Sequence, residues 1–157
     1  MLISATFNSW SQVEVESMLD EGYEFYEQSQ FNKAIAIFSK VISMEPAIPE
    51  AYFLRGICKH SIDEVKASIV DMEKAIELDP DYLEAYQQLG YIYLVGQAPK
   101  EAIAAFDKAL ELDPTAAETY VNRGTAKCMQ NDATGAREDW KKATELGVKY
   151  SEQMICD

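Results

Sequence analysis

The chain has 157 residues, 48% of them hydrophobic and 26% charged, a balance that suits one folded domain or a short array of repeats with a real core to bury. Its 14 Lys plus Arg stand against 27 Asp plus Glu, and a net charge of −13 repels nucleic-acid backbones and anionic membrane surfaces alike. No apolar run approaches the ~20 residues that a membrane-spanning helix needs.

The opening stretch, MLISATFNSWS, has neither the basic start nor the unbroken apolar segment of a secretory signal, so the chain reads as cytoplasmic. Its first ten residues carry no charge but include Leu2, Ile3, Phe7 and Trp10, free to extend the first stack or to lie in a groove. Residues 1–14 read as an N-terminal extension and the start of a first helix.

From residue 15 the sequence repeats itself. Proline falls at 46, 80 and 114, and glycine at 22, 56, 90 and 124, so that both series share one constant step. Small side chains keep that step at Ala34, Ser68, Ala102 and Ala136, and large ones at Phe38, Met72, Phe106 and Trp140. The phrase KAIELDP at 74–80 returns as KALELDP at 108–114, marking the end of a helix closed by Asp-Pro. Four repeats fit, at 15–48, 49–82, 83–116 and 117–150.

Each repeat reads as two helices. Ala102, Phe106 and Ala109 share one helical face, and Tyr86, Leu89, Gly90 and Tyr93 share another in the preceding stretch. Between them GQAPKEA supplies a turn, with Pro99 suited to the first turn of the second helix. A mid-helix glycine costs about 1 kcal/mol relative to alanine, so its return in every repeat implies close approach of the paired helices. Ser11–Glu14, Asp81–Glu84 and Thr115–Glu118 match the capping-box spacing, and Pro49 stands at the start of the second repeat. Val148 replaces the fourth proline, so the array is expected to stop there, with residues 151–157 as a short capping helix.

A second rhythm runs inside the first. The second and fourth repeats share Arg-Gly (Arg55, Arg123), a following lysine (Lys59, Lys127) and an aspartate at the same distance beyond the arginine (Asp71, Asp139). Structural ion pairs Arg55–Asp71 and Arg123–Asp139, bridging the two helices of a repeat, are expected, with an anion site on the arginines as the alternative. Catalytic equipment is missing. There is one histidine, His60, no His/Cys/carboxylate set with metal spacing and no phosphate-cradling glycine loop. No enzyme, cofactor or metal is expected. Cys58, Cys128 and Cys156, odd in number and widely spaced, read as free thiols in a reducing compartment.

The third repeat, with Tyr86, Leu89, Gly90, Tyr93, Ala102, Phe106, Ala109 and Pro114 in phase, resembles the tetratricopeptide repeat family, and the resemblance covers residues 15 to about 150. It implies an all-α fold, a right-handed superhelical solenoid of antiparallel helix pairs. The first helix of each pair then lines a groove that holds segments of other proteins. The groove residues it implies are Leu19, Tyr23 and Tyr26; Phe53, Ile57 and His60; Gln87, Tyr91 and Leu94; and Val121, Thr125 and Cys128. Glu16, Glu50, Glu84 and Glu118 either fringe that groove or favour the helix dipole from the first turn.

One subset of the family clamps chaperone C-terminal carboxylates with Lys, Arg and Asn. The clamp sites here hold Leu19, Tyr23, Leu54, Glu84 and Gln88, or one repeat later Phe53, Ile57, Gln88, Glu118 and Asn122, so acidic chaperone tails do not suit it. The expected function is a non-enzymatic interaction module for an extended or helical, apolar to basic protein segment. The alternative is self-assembly, with the groove or an array end covered by another copy or by the chain's own start.

Overall fold

The computed structural model describes residues 4–148 and Cys156, with side chains from Gln12 onward. The described residues form α1 (Ser4–Glu27), α2 (Phe31–Met44), α3 (Pro49–Ser61), α4 (Val65–Leu78), α5 (Leu83–Val95), α6 (Pro99–Leu112), α7 (Ala117–Met129) and α8 (Ala133–Glu145). They pack as the pairs α1·α2, α3·α4, α5·α6 and α7·α8, the two helices of each pair antiparallel across a tight turn. The chain divides into two compact bodies, Met1–Pro80 and Asp81–Asp157, each holding two pairs. Residues 151–155 and 157, where a capping helix is expected, lie outside the described residues, as do the side chains of Leu2, Ile3, Phe7 and Trp10.

One sequence offset, from i to i+16, sets the register of every pair. A Cβ placed on Gly22 would stand 2.5 Å from Phe38 Cε1, and one on Gly90 equally close to Phe106 Cε1. At Gly124 it would meet Trp140 Nε1 at 2.6 Å. The repeated glycine is therefore the seat of a large side chain on the facing helix, a sharper reason than backbone proximity alone. Phe38, Phe106 and Met72 are fully buried. Trp140, which brings a polar atom to this position, donates its indole N–H to the Val121 carbonyl at 3.2 Å.

In the N-terminal body, Val15, Met18, Val41 and Ala51 form one core cluster and Ala34, Phe38, Leu54 and Cys58 another. In the C-terminal body, Ala102, Phe106 and Ala126 join α6 to α7. Burial pushes the Cys58 thiol up to about 11. The raised value adds stability that is complete below the ordinary thiol range and is lost as pH rises through about 11. In the native chain at neutral pH, Cys58 should resist alkylation by iodoacetamide and react only on unfolding. Rapid native labelling would contradict its burial.

Helix starts depart from the expectation. Ser11 and Glu14 lie inside α1, which runs unbroken from Ser4, so no free N–H group awaits a cap there. The caps of α5 and α7 fall on Tyr82 and Ala116, neither of which makes a side-chain cap hydrogen bond. Thr115 is spent elsewhere: its N–H and hydroxyl both donate to Asp113 Oδ1, at 2.8 and 2.6 Å, which holds the Asp113 carboxyl below its ordinary value. At α8 a side-chain cap does form: Asp132 Oδ1 accepts from the Gly135 N–H at 2.9 Å. Pro49 and Pro99 both stand in the first turn of their helices.

The first helix of each pair gives way to a left-handed residue: Ser29, Asp63, Gln97 and Asn131, with φ of 57°, 65°, 58° and 62°. These positions keep the step of the repeat, yet none is glycine. After α8, Gly147 takes φ of 101° and the Val148 N–H donates to the Ala143 carbonyl at 3.0 Å. A proline at 148 could not make that bond, so its loss there changes how the last helix is closed.

Candidate functional site

Each body presents the first helices of its two pairs side by side, α1 with α3 and α5 with α7. In the N-terminal body the expected groove residues are Leu19, Tyr23 and Tyr26 on α1 and Phe53, Ile57 and His60 on α3, none of them buried. Leu19, Tyr26 and Phe53 rest their inner sides on the Phe38 cluster, while Tyr23 remains 46% exposed. Tyr23 and Tyr26 hold their ring centres 5.9 Å apart, and Tyr26 continues to Phe31 at 6.1 Å. The result is an aromatic strip whose members Tyr26 and Phe31 pack on the Phe38 cluster.

In the C-terminal body, Gln87, Tyr91 and Leu94 on α5 accompany Val121, Thr125 and Cys128 on α7, again with none buried. Tyr91 is 43% exposed, and Leu94 packs on the Phe106 cluster. Two of the polar members are already engaged, since Gln87 Nε2 donates to Thr119 Oγ1 at 2.8 Å and Thr125 Oγ1 to the Val121 carbonyl at 3.0 Å. Cys128 corrects the expectation of three free thiols. It is joined to Cys156, with Cα atoms 5.5 Å apart, leaving Cys58 free and buried.

The acidic series divides. Glu50, Glu84 and Glu118 occupy first turns, where the helix dipole favours them. Glu16 does not, because α1 begins three turns earlier; it accepts from Gln12 Nε2 at 3.5 Å. All four are exposed.

Each body also holds a charged cluster that joins the two helices of its second pair. Arg55 grips Asp71 with Nε and Nη2 at 2.8 and 2.7 Å, and Lys59 Nζ adds a third contact at 2.8 Å. Arg123, Lys127 and Asp139 repeat this at 2.8, 2.7 and 2.9 Å. The third arginine nitrogen distinguishes them: Arg55 Nη1 donates to Ser39 Oγ at 3.2 Å, whereas Arg123 Nη1 meets the Asp107 carboxylate at 2.7 Å. The Asp139 carboxylate, and then Asp107, hold the Arg123 guanidinium above its ordinary value. Both arginines also lie over a tyrosine ring, Tyr52 and Tyr120. Asp71 and Asp139 are 2% and 4% exposed, and no buried side-chain N or O among the described residues lacks a partner. Also among the described residues, no group of three or more His, Cys, Asp or Glu is placed to hold a metal ion, and no helix is long and apolar enough to cross a membrane.

Helix pairs that recur at a fixed sequence step, with a glycine seating a large residue across each pair and apolar side chains on the first helices, define a helical-repeat protein. The chain belongs to the tetratricopeptide repeat family. Sequence models of that repeat match residues 49–82 and 83–116. Among solved structures, it is similar to the crystal structure of MamA, with 30% identity over 84% of this chain and 77% of that one, at a TM-score of 0.81. A MamA fragment from Desulfovibrio magneticus RS-1 aligns at 24% identity over 84% of this chain and 75% of its own, with a TM-score of 0.77. The TPR protein TTC0263 of Thermus thermophilus shares the fold at 18% identity, covering 85% of this chain and 74% of that one, with a TM-score of 0.70. No curated protein sequence gives a significant match.

Proposed function

We propose that the chain is a non-enzymatic protein-interaction module that takes neutral to basic, partly apolar segments of other proteins on the faces of its first helices. The observation that carries this reading is the aromatic strip of Tyr23, Tyr26 and Phe31, with Tyr26, Phe31 and Phe53 resting on the Phe38 cluster, matched in the other body by the half-exposed Tyr91. Large apolar side chains held open to solvent on a firm base are the ordinary substance of a binding surface. Exposed Glu50, Glu84 and Glu118 near the same helices favour lysine- or arginine-bearing partners. The surface charge disfavours nucleic acid and anionic membranes as partners and favours soluble proteins.

A displayed peptide library tests this. Peptides enriched on the immobilised protein should combine apolar anchors with net positive charge. Phe53→Ala together with Tyr91→Ala should abolish their binding while leaving the helical circular-dichroism signal intact. Binding that persists in the double variant would overturn the assignment of these faces.

A further inference from the structure

The first and last helices of the array differ from the inner ones at the positions through which neighbouring pairs stack. Within the N-terminal body, α2 meets α3 through three meeting points. Ile35 shares a cluster with Leu54 and Cys58, Ile42 with Ala51, and Ser39 accepts from Arg55. Within the C-terminal body, α6 meets α7 in the same way, Ile103 sharing a cluster with Ala126 and Asp107 pairing with Arg123. Carrying this register to the last second helix gives Arg137, Lys141 and Thr144 where Ile35, Ser39 and Ile42 stand. Carrying it back to the first helix gives Glu24, Glu21 and Ser17 in place of Cys58, Arg55 and Ala51. All six residues are exposed.

The replacements are complementary. We propose that the α1 face of one copy of this chain docks on the α8 face of a second copy, in the register that joins neighbouring pairs inside each body. Arg137 then stands opposite Glu24, Lys141 opposite Glu21 and Thr144 opposite Ser17. The Lys141–Glu21 pair takes the place of Asp107–Arg123 with its signs exchanged. None of the four charged residues takes part in an ion pair among the described residues. The contact is heterologous, joining unlike surfaces, and so it adds copies head to tail rather than closing a two-fold dimer. With isoleucine absent from the interface, charge sets its partner. A net −13 on each copy opposes approach at low salt, but at about 0.15 M ionic strength the Debye length of about 8 Å screens that repulsion and leaves pairs at contact range.

Sedimentation velocity at this ionic strength should show a coefficient that rises with protein concentration. Arg137→Glu with Lys141→Glu should sediment as a monomer throughout, and so should Glu21→Lys with Glu24→Arg, both with an unchanged helical signal. Mixing these two variants should restore association, since each then finds an opposite face. Three outcomes overturn the proposal: a wild-type chain that stays monomeric at every concentration, association that survives either reversal, or no recovery on mixing. The residues lie outside the apolar faces, so peptide binding and self-association can fail independently.

Discussion

Replacing Asp71 by alanine should lower stability by about 3 kcal/mol, the range for leaving a largely buried charge without its partner. Asp71 is 2% exposed and holds both Arg55 and Lys59, whose side chains are only 17% and 16% exposed. Without the carboxylate two cations face each other across a space that water reaches poorly. Asp139→Ala should cost less, about 2 kcal/mol, because Arg123 keeps the Asp107 carboxylate at 2.7 Å while Arg55 is left with a serine hydroxyl. Urea unfolding of the two variants side by side checks the order. Equal losses would mean that the third arginine contact contributes nothing. An unchanged stability in Asp71→Ala, together with altered ligand binding, would instead favour an anion site on the arginines.

Phe106→Ala should cost about 3–5 kcal/mol, as for other large buried aromatics. Its ring fills the seat left by Gly90, so the two positions are expected to be strongly coupled. Gly90→Ala alone forces a methyl against the ring, an overpacking cost of about 1–3 kcal/mol that outweighs the helix-propensity gain of about 1 kcal/mol. In the Phe106→Ala background the obstacle is gone, and the same glycine replacement should become neutral or stabilising. Thermal unfolding of the double-mutant cycle decides this: additive losses would show that ring and glycine do not share one space. Gly56→Ala should cost less than Gly90→Ala, because the nearest atom there is the terminal methyl of the unbranched Met72 side chain at 2.8 Å, with the next atoms at 3.3 Å.

The fold was legible because one geometric relation is written in several residue types at once. Gly56 to Met72 and Arg55 to Asp71 span the same i to i+16 offset, so packing and charge report one register between paired helices. The left-handed turns escaped notice for the opposite reason. Ser29, Asp63, Gln97 and Asn131 are all polar, and Asp and Asn tolerate the left-handed region, but none is the glycine that marks such a turn most plainly; the hydrogen bonds that close the preceding helix impose their backbone angle. The capping boxes misled because spacing alone cannot tell that Thr115 has already given both its donors to Asp113. Periodicity could not reveal the Cys128–Cys156 bond either, since a sequence separation of 28 falls outside the repeat step. For the candidate faces, the sequence supplied the residues, and the structure added how they are supported: an aromatic strip on the Phe38 cluster in one body, and polar members already bonded in the other.

That disulfide alters how the array bears load. An unbridged solenoid pulled from its C-terminus peels from the outermost helix inward, each helix leaving before the next is strained. Here the bond from Cys156 to Cys128 encloses all of α8 within a covalent ring. Tension applied to the chain end enters through α7 and bypasses α8, so the last helix pair must yield as one piece.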